Sequence, residues 1–132
     1  MTAAVADQTQ AQARQKAFRN ALGSFPTGVT IITTHDPADG RLTGLTVNSF
    51  SSVSLDPPLV LWSLARKSPS LDQFAVGRQH AIHVLSHGQK DLAYHFATPK
   101  ADKFAGVEHV LGADFKAPIL QGTTACFYCE TH

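Results

Sequence analysis

Between Thr46 and Ser54 the chain places six uncharged side chains that can hydrogen-bond: Thr46, Asn48, Ser49, Ser51, Ser52 and Ser54, with no acid or base among them. Hydroxyl and amide groups at that density can fix a flat, heteroatom-rich ligand through several directional bonds. The absence of carboxylates also leaves an anionic ligand unopposed. The competing reading is an exposed Ser/Thr-rich edge strand, and composition alone leaves the two level.

Arg66-Lys67-Ser68 is the natural companion to this stretch. Two cations ahead of a helix N-cap combine fixed positive charge with free backbone N–H groups, which suits a phosphate. A solvated turn is the commoner fate of such a triplet. Cys126, Cys129 and His132 lie three residues apart, as metal ligands often do. In a strand, however, residues three apart point to opposite faces, so the cysteines are not expected to share an ion. The seven histidines are scattered, and surface or hydrogen-bonded structural roles are expected for them. No G-x-G-x-x-G, no Walker-type G-x-x-x-x-G-K and no G-x-S-x-G occurs, which argues against a Rossmann domain and against a recognisable acyl-transfer site.

The elements that must position these groups read mostly as strands. Thr43 to Ser54 interleaves β-branched and aromatic residues with polar ones, with an interruption of its apolar side at Ser49 to Ser51 that indicates a bulge or bend. Pro57-Pro58 ends that strand. Val29–Thr34, Leu59–Leu64, Gln79–Ser86 and Thr123–Thr131 give further strands, with Leu59–Leu64 the most apolar and expected in the core. Helical spacing predicts one helix over Gln10–Leu22, with Phe18 and Leu22 on one stripe, and another over Gln89–Ala97. Ser68 and Pro69 are expected to open a short helix reaching Gly77, and Asp102-Lys103-Phe104 to share a helical turn. Hairpin-joined strands with inserted helices predict a mainly β fold: an antiparallel sheet curling into a small barrel.

Length and composition set the frame. The chain has 132 residues, enough for one core. We expect a disordered leader over residues 1–9 and one domain over residues 10–132. The net charge of +1 gives no electrostatic case for nucleic acid or an anionic membrane surface. No apolar run approaches a membrane span and no signal peptide is recognised. Two cysteines in such a chain suggest a reducing, cytoplasmic setting.

Two segments carry a family resemblance. Phe18-Arg19-Asn20-Ala21-Leu22-Gly23-Ser24-Phe25-Pro26-Thr27-Gly28-Val29-Thr30 is similar to the opening of the flavin reductase-like domain, and Gly44 to Val60 resembles its central signature. His83-Val84-Leu85-Ser86, Leu92-Ala93, Phe96-Ala97 and Lys103-Phe104 follow in the family's order. The resemblance covers about Ala17 to Glu130. It implies an FMN-binding split barrel, a homodimer with flavin near the subunit interface, and reduction of FMN or FAD by NADH or NADPH to supply a partner monooxygenase.

By the same resemblance, Thr46, Val47, Asn48 and Ser49 line the isoalloxazine ring, and Ser51, Ser52, Arg66, Lys67 and Ser68 hold the ribityl phosphate. Pro26, Thr27 and Gly28 approach the ring edge, with Ser63 and Leu64, and Phe104 is a candidate flavin or nicotinamide contact. No acid or base is required of the protein, so no catalytic residue and no metal ligand is assigned. Family members continue into further β-structure with a Gly-Asp-His segment, whereas this sequence stops at His132; the domain is therefore expected to lack its C-terminal strands. The alternatives are a flavin-binding module without turnover, a pyridoxamine-phosphate-oxidase-like enzyme on the same barrel, and a metal-dependent protein using the cysteines.

Overall fold

A computed structural model of the chain describes residues 3–132. Helix α1 (Ala3–Gly23) is followed by strands β1 (Thr30–His35) and β2 (Leu42–Val47). Strands β3 (Ser51–Leu55) and β4 (Pro58–Leu61), a 3-10 turn at Leu71–Phe74 and strand β5 (Gln79–Val84) come next. A second 3-10 turn (His87–Gln89) leads into helix α2 (Lys90–Ala97). Strands β6 (His109–Leu111), β7 (Pro118–Leu120) and β8 (Ala125–Glu130) complete the order.

Four strands form one antiparallel sheet in the order β2-β1-β5-β8, and β3-β4 and β6-β7 form separate two-stranded hairpins. The fold is thus mainly β and antiparallel, with two helices, as the alternation of strand and turn signals predicts. Because β1 is central, its side chains alternate between two buried layers. Ile31 joins Phe96, Phe104 and Leu120 on one face, while Ile32 joins Val47, Phe74 and Ile82 on the other. This explains why β1 and β5 are buried at nearly every position. Full burial of Thr33 and His83 is compensated by hydrogen bonds. Thr33 Oγ1 donates to the Pro118 carbonyl at 2.7 Å. His83 spans two elements, with Nδ1 2.9 Å from the Ile31 carbonyl and Nε2 accepting the Leu120 N–H at 3.1 Å.

Several expectations are corrected. Helix α1 begins at Ala3, ahead of Gln10, so part of the expected leader is helical; residues 1 and 2 lie outside the described residues. The single strand from Thr43 to Ser54 is two strands broken at Asn48–Phe50, where the apolar side is interrupted. Leu59–Leu64 is strand only to Leu61, and it is not fully buried: Val60, Trp62 and Leu64 pack on the Ile32 layer while Leu59 and Leu61 are exposed. The helix after Pro69 shrinks to the single turn Leu71–Phe74. No helical turn forms at Asp102–Phe104; the Asp102 carboxylate instead accepts the Phe104 N–H at 3.0 Å, a local turn that competes with helix. The β6-β7 hairpin has no counterpart in the sequence reading.

Cys126 and Cys129 are free thiols opposite His83 and His80 in the β5-β8 register. They project from opposite faces of β8, as the strand argument requires. Burial raises both thiol pKa values, which disfavours the thiolate.

Candidate functional site

Edge strand β2 and helix α2 enclose the cavity that the polar stretch enters. The close approach of the two is set by Gly44. A Cβ there would lie 2.5 Å from the Phe96 ring and 3.2 Å from that of Phe104. Two tethers fix the spacing. Thr46 Oγ1 donates to the Ala93 carbonyl at 2.6 Å, and Lys103 Nζ donates to the carbonyls of Gly44 at 3.0 Å and Phe96 at 2.8 Å. The second tether satisfies a carbonyl in the last turn of α2, where partners are otherwise lacking.

The cavity measures about 730 Å³, within the range of small-molecule sites. Thr27, Thr46 and Asn48 line one side; Ser86, His87, Gln89, Lys90 and Tyr94 line the other. Among the described residues no carboxylate borders it, and Lys90 supplies a positive charge that sits 6.0 Å from the Tyr94 ring centre. The second wall owes its shape to a capping box. The Ser86 side chain takes the Gln89 N–H while the Ser86 N–H donates to Gln89 Oε1 at 2.9 Å, and this turns the chain from β5 into α2.

A second groove, about 710 Å³, runs between the end of α1 and the break after β2, lined by Arg19, Phe25, Pro26, Thr27, Asn48 and Ser49 among others. Asn48 and Thr27 border both spaces. Ser49 Oγ accepts the Ser63 N–H at 2.9 Å, which brings the stretch after β4 alongside. Thr27, Thr46, Asn48, Ser49, Pro26 and Ser63 therefore form one connected neutral wall. Its polar groups are unequally committed: Thr46 spends its proton on α2, whereas the side chains of Asn48 and Ser63 have no partner among the described residues.

The other expected residues fall elsewhere. Val47 is buried in the Ile32 layer and Leu64 packs against that layer. Ser51 and Ser52 are exposed on β3, with Ser51 Oγ donating to the Ser52 carbonyl at 3.2 Å. Gly28 is exposed and borders neither space. Arg66 and Lys67 are exposed in a turn and also border neither; Ser68 lines a different cleft beyond β2. Phe104 departs most clearly from expectation. It is 4% exposed and packs edge-on against Phe96 and His109, so its ring belongs to the core beneath the cavity.

Sequence reasoning missed the wall from Ser86 to Tyr94. Its one local signal was the Ser86-x-x-Gln89 spacing of a capping box, which marks a helix start but says nothing about what the helix faces. The buried histidines are structural. Burial holds His83 and His80 below the usual histidine pKa, and His80 Nε2 accepts the Trp62 indole N–H at 3.3 Å.

Comparison with known proteins gives a consistent picture. Residues 22–132 match the model of the flavin reductase like domain. The stachydrine N-demethylase reductase subunit of Rhizobium meliloti is 44% identical over 89% of this chain and 50% of its own length. The FMN reductase (NADH) of Agrobacterium fabrum is 46% identical over 87% of this chain and 64% of its length. The chain thus spans about half to two thirds of these relatives. Among solved structures, the Streptomyces globisporus NADH:FAD oxidoreductase, in complex with NAD and FAD fragments, superposes with a TM-score of 0.81 at 38% identity. That match covers 89% of this chain and 70% of the other. Nitrilotriacetate monooxygenase component B of Mycobacterium thermoresistibile superposes with a TM-score of 0.82 at 37% identity, over 92% and 66% respectively.

Proposed function

Because the chain belongs to the flavin reductase-like domain family, we propose that it binds FMN or FAD and promotes hydride transfer to it from NADH or NADPH, delivering reduced flavin to a monooxygenase partner. The observation that carries this reading is the cavity between β2 and α2, bordered by the neutral Thr27, Thr46 and Asn48 on one side and by Lys90 on the other, with no carboxylate among its described lining residues. A negatively charged wall would oppose both a phosphorylated ligand and the charge that a flavin ring gains on reduction; this wall does neither.

The residues fit the group. When bound, the flavin supplies the hydride acceptor, so no side chain has to act as acid or base. What remains for the protein is to bind, orient and exclude water. The free amide of Asn48 offers two donors and one acceptor to a ring edge, and the hydroxyls of Thr27 and Ser63 add further contacts. Ser49 already accepts the Ser63 N–H and keeps its own proton to donate. Thr46 acts indirectly by holding α2 at its distance. Ser51, Ser52, Arg66, Lys67 and Ser68 are assigned to the phosphate-bearing tail, and the sheets to an FMN-binding split barrel.

Helix α1 supports a homodimer. Its described side chains are all exposed, including Phe18 at 68% and Leu22 at 58%, and Phe25 just beyond it is 74% exposed. A helix this long whose described side chains are exposed gains little from propensity alone, and a second copy supplies further contacts. No helix among the described residues is long and apolar enough to cross a membrane. The two free thiols support a cytoplasmic setting.

The deciding experiment is flavin titration followed by NADH and NADPH consumption, with this chain and with a C-terminally extended one. Saturable binding of FMN or FAD with flavin-dependent NADH oxidation is expected. Binding without turnover in both chains would leave a flavin-binding module, and no binding in either would end the reading.

A further inference from the structure

On its far side, the outer edge of β2 borders another cleft, of about 350 Å³. Arg41, Lys100 and Lys103 line it together with Ser68, Ser70 and Gln73. No carboxylate is among its lining residues, and none of the three cations has an ion-pair partner among the described residues. Three like charges around one concave space raise its potential and attract counter-ions.

The cations are held in place rather than loosely arrayed. The Gln73 amide lies between Thr43 and the Arg41 guanidinium; turned so that both neighbours are satisfied, it donates to Thr43 Oγ1 and accepts from Arg41 Nη2 at 2.6 Å. Lys100 Nζ donates to His95 Nδ1 at 3.1 Å. Lys103 uses two of its three N–H groups on the Gly44 and Phe96 carbonyls and keeps the third free. Its bond to Phe96 also covers a negative helix end that would repel an anion. Burial pushes the Lys103 pKa down. Because the Gly44 carbonyl points away from β1, its N–H does too, by the alternation of an antiparallel ladder. The Ser68 hydroxyl accepts the Ser70 N–H at 3.2 Å and can donate its own proton. Donors therefore converge on the cleft from a side-chain hydroxyl, three cations and a strand edge.

Ala97 borders both this cleft and the cavity between β2 and α2, so the two spaces meet at the end of α2. We infer that the cleft is a second anion site, distinct from the Arg66–Lys67 turn, that takes a phosphate group of a nucleotide ligand. The choice of nucleotide rests on the flavin reductase reading; the charge and donor geometry of the cleft do not.

Isothermal titration of inorganic pyrophosphate at low ionic strength tests the site itself. Arg41 and Lys100 are exposed, so the R41A/K100A variant is expected to fold, whereas Lys103 is left intact because it ties α2 to β2. Pyrophosphate affinity should fall about ten-fold or more in R41A/K100A. The R14A/K16A variant, which removes equal charge elsewhere, should retain binding at the cleft. No binding to the unaltered protein, or an equal loss in R14A/K16A, would overturn the inference.

Parallel titrations identify the source of the phosphate. Riboflavin, which carries none, should bind R41A/K100A as it binds the unaltered protein. A loss of about ten-fold for FMN or FAD assigns the flavin's phosphate, and a comparable rise in KM for NADH or NADPH at unchanged flavin affinity assigns the co-substrate's. Unchanged values for all of these nucleotides would overturn the assignment. Should riboflavin and FMN fail to bind the unaltered protein while pyrophosphate still separates the variants, the flavin reading falls and the cleft stands.

Discussion

Two regions of this protein are written in the same polar alphabet and use it in opposite ways. In β1, Thr30, Thr33 and Thr34 are buried, and each hydroxyl donates at 2.7 Å to a backbone carbonyl, of Val47, Pro118 and Gln79 respectively. In the ribbon that begins at Asn48 and is joined through Ser49 to Ser63, Asn48, Ser49, Ser51, Ser52 and Ser63 are exposed, and the side chains of Asn48, Ser52 and Ser63 have no partner among the described residues. A buried hydroxyl must be paired or it destabilises the fold. An exposed one keeps its bonding capacity for a ligand. Residue type alone does not separate structural from receptive polarity; what separates them is whether an acceptor already occupies the proton.

Substitutions in the first region should therefore act on stability and those in the second on binding. The largest effect is expected for His83→Leu, which strands the Leu120 N–H and the Ile31 carbonyl in the core. Chemical denaturation should show a loss of about 3 kcal/mol. A loss below about 1 kcal/mol would mean that the histidine network is not what holds β7 to the sheet.

The same region sets a pH dependence. Burial holds the folded-state pKa of His80 and His83 below the ordinary value of 6.5. The unfolded chain therefore takes up protons first as pH falls. The stability tied to these groups is complete above pH 6.5 and is lost as the pH drops through 6.5 toward their folded values. Denaturation midpoints measured from pH 8 to pH 5 should decline in that window, with a shallower decline in His83→Leu. Thr33→Val, which deletes one buried donor at nearly constant volume, should cost about 1–2 kcal/mol with flavin affinity unchanged.

In the receptive region the signs reverse. Asn48→Ala should leave stability within about 0.5 kcal/mol while weakening flavin binding several-fold, on the order of one hydrogen bond. Fluorescence titration checks it, and an unaltered affinity would take Asn48 out of the wall. Ser52→Ala is the smallest change: no shift in the denaturation midpoint, and flavin affinity reduced by about two-fold at most.

How much of this was legible depended on how local the cause was. The strands from Val29–Thr34 and Gln79–Ser86 were readable because runs of β-branched and apolar residues are sufficient signals in themselves. So was the break near Ser49, since the apolar side is visibly interrupted there. The β6-β7 hairpin was not, because its strands are three residues each and one begins at Pro118. The wall carrying Ser86, Lys90 and Tyr94 was hidden for a different reason: it faces Thr46 only because Gly44 lets Phe96 approach, a tertiary condition no local pattern states. Phe104 looked receptive beside Lys103, yet the same close approach draws it into the core. The Arg66–Lys67 turn is legible as a seat for phosphate because its charges are adjacent in sequence, whereas the cleft that Ser68 lines draws its charge from Arg41, Lys100 and Lys103, which are distant from it in sequence.

The Thr46 bond to the Ala93 carbonyl has a consequence for how this architecture can diversify. A side chain of fixed length spanning two walls works as a ruler: serine at this position would preserve the gauge, and valine would leave the helix free to drift. Substitution at residue 46 would therefore be felt as a change in the thickness of ring that the slot admits, well before it was felt as a change in the chemistry performed there.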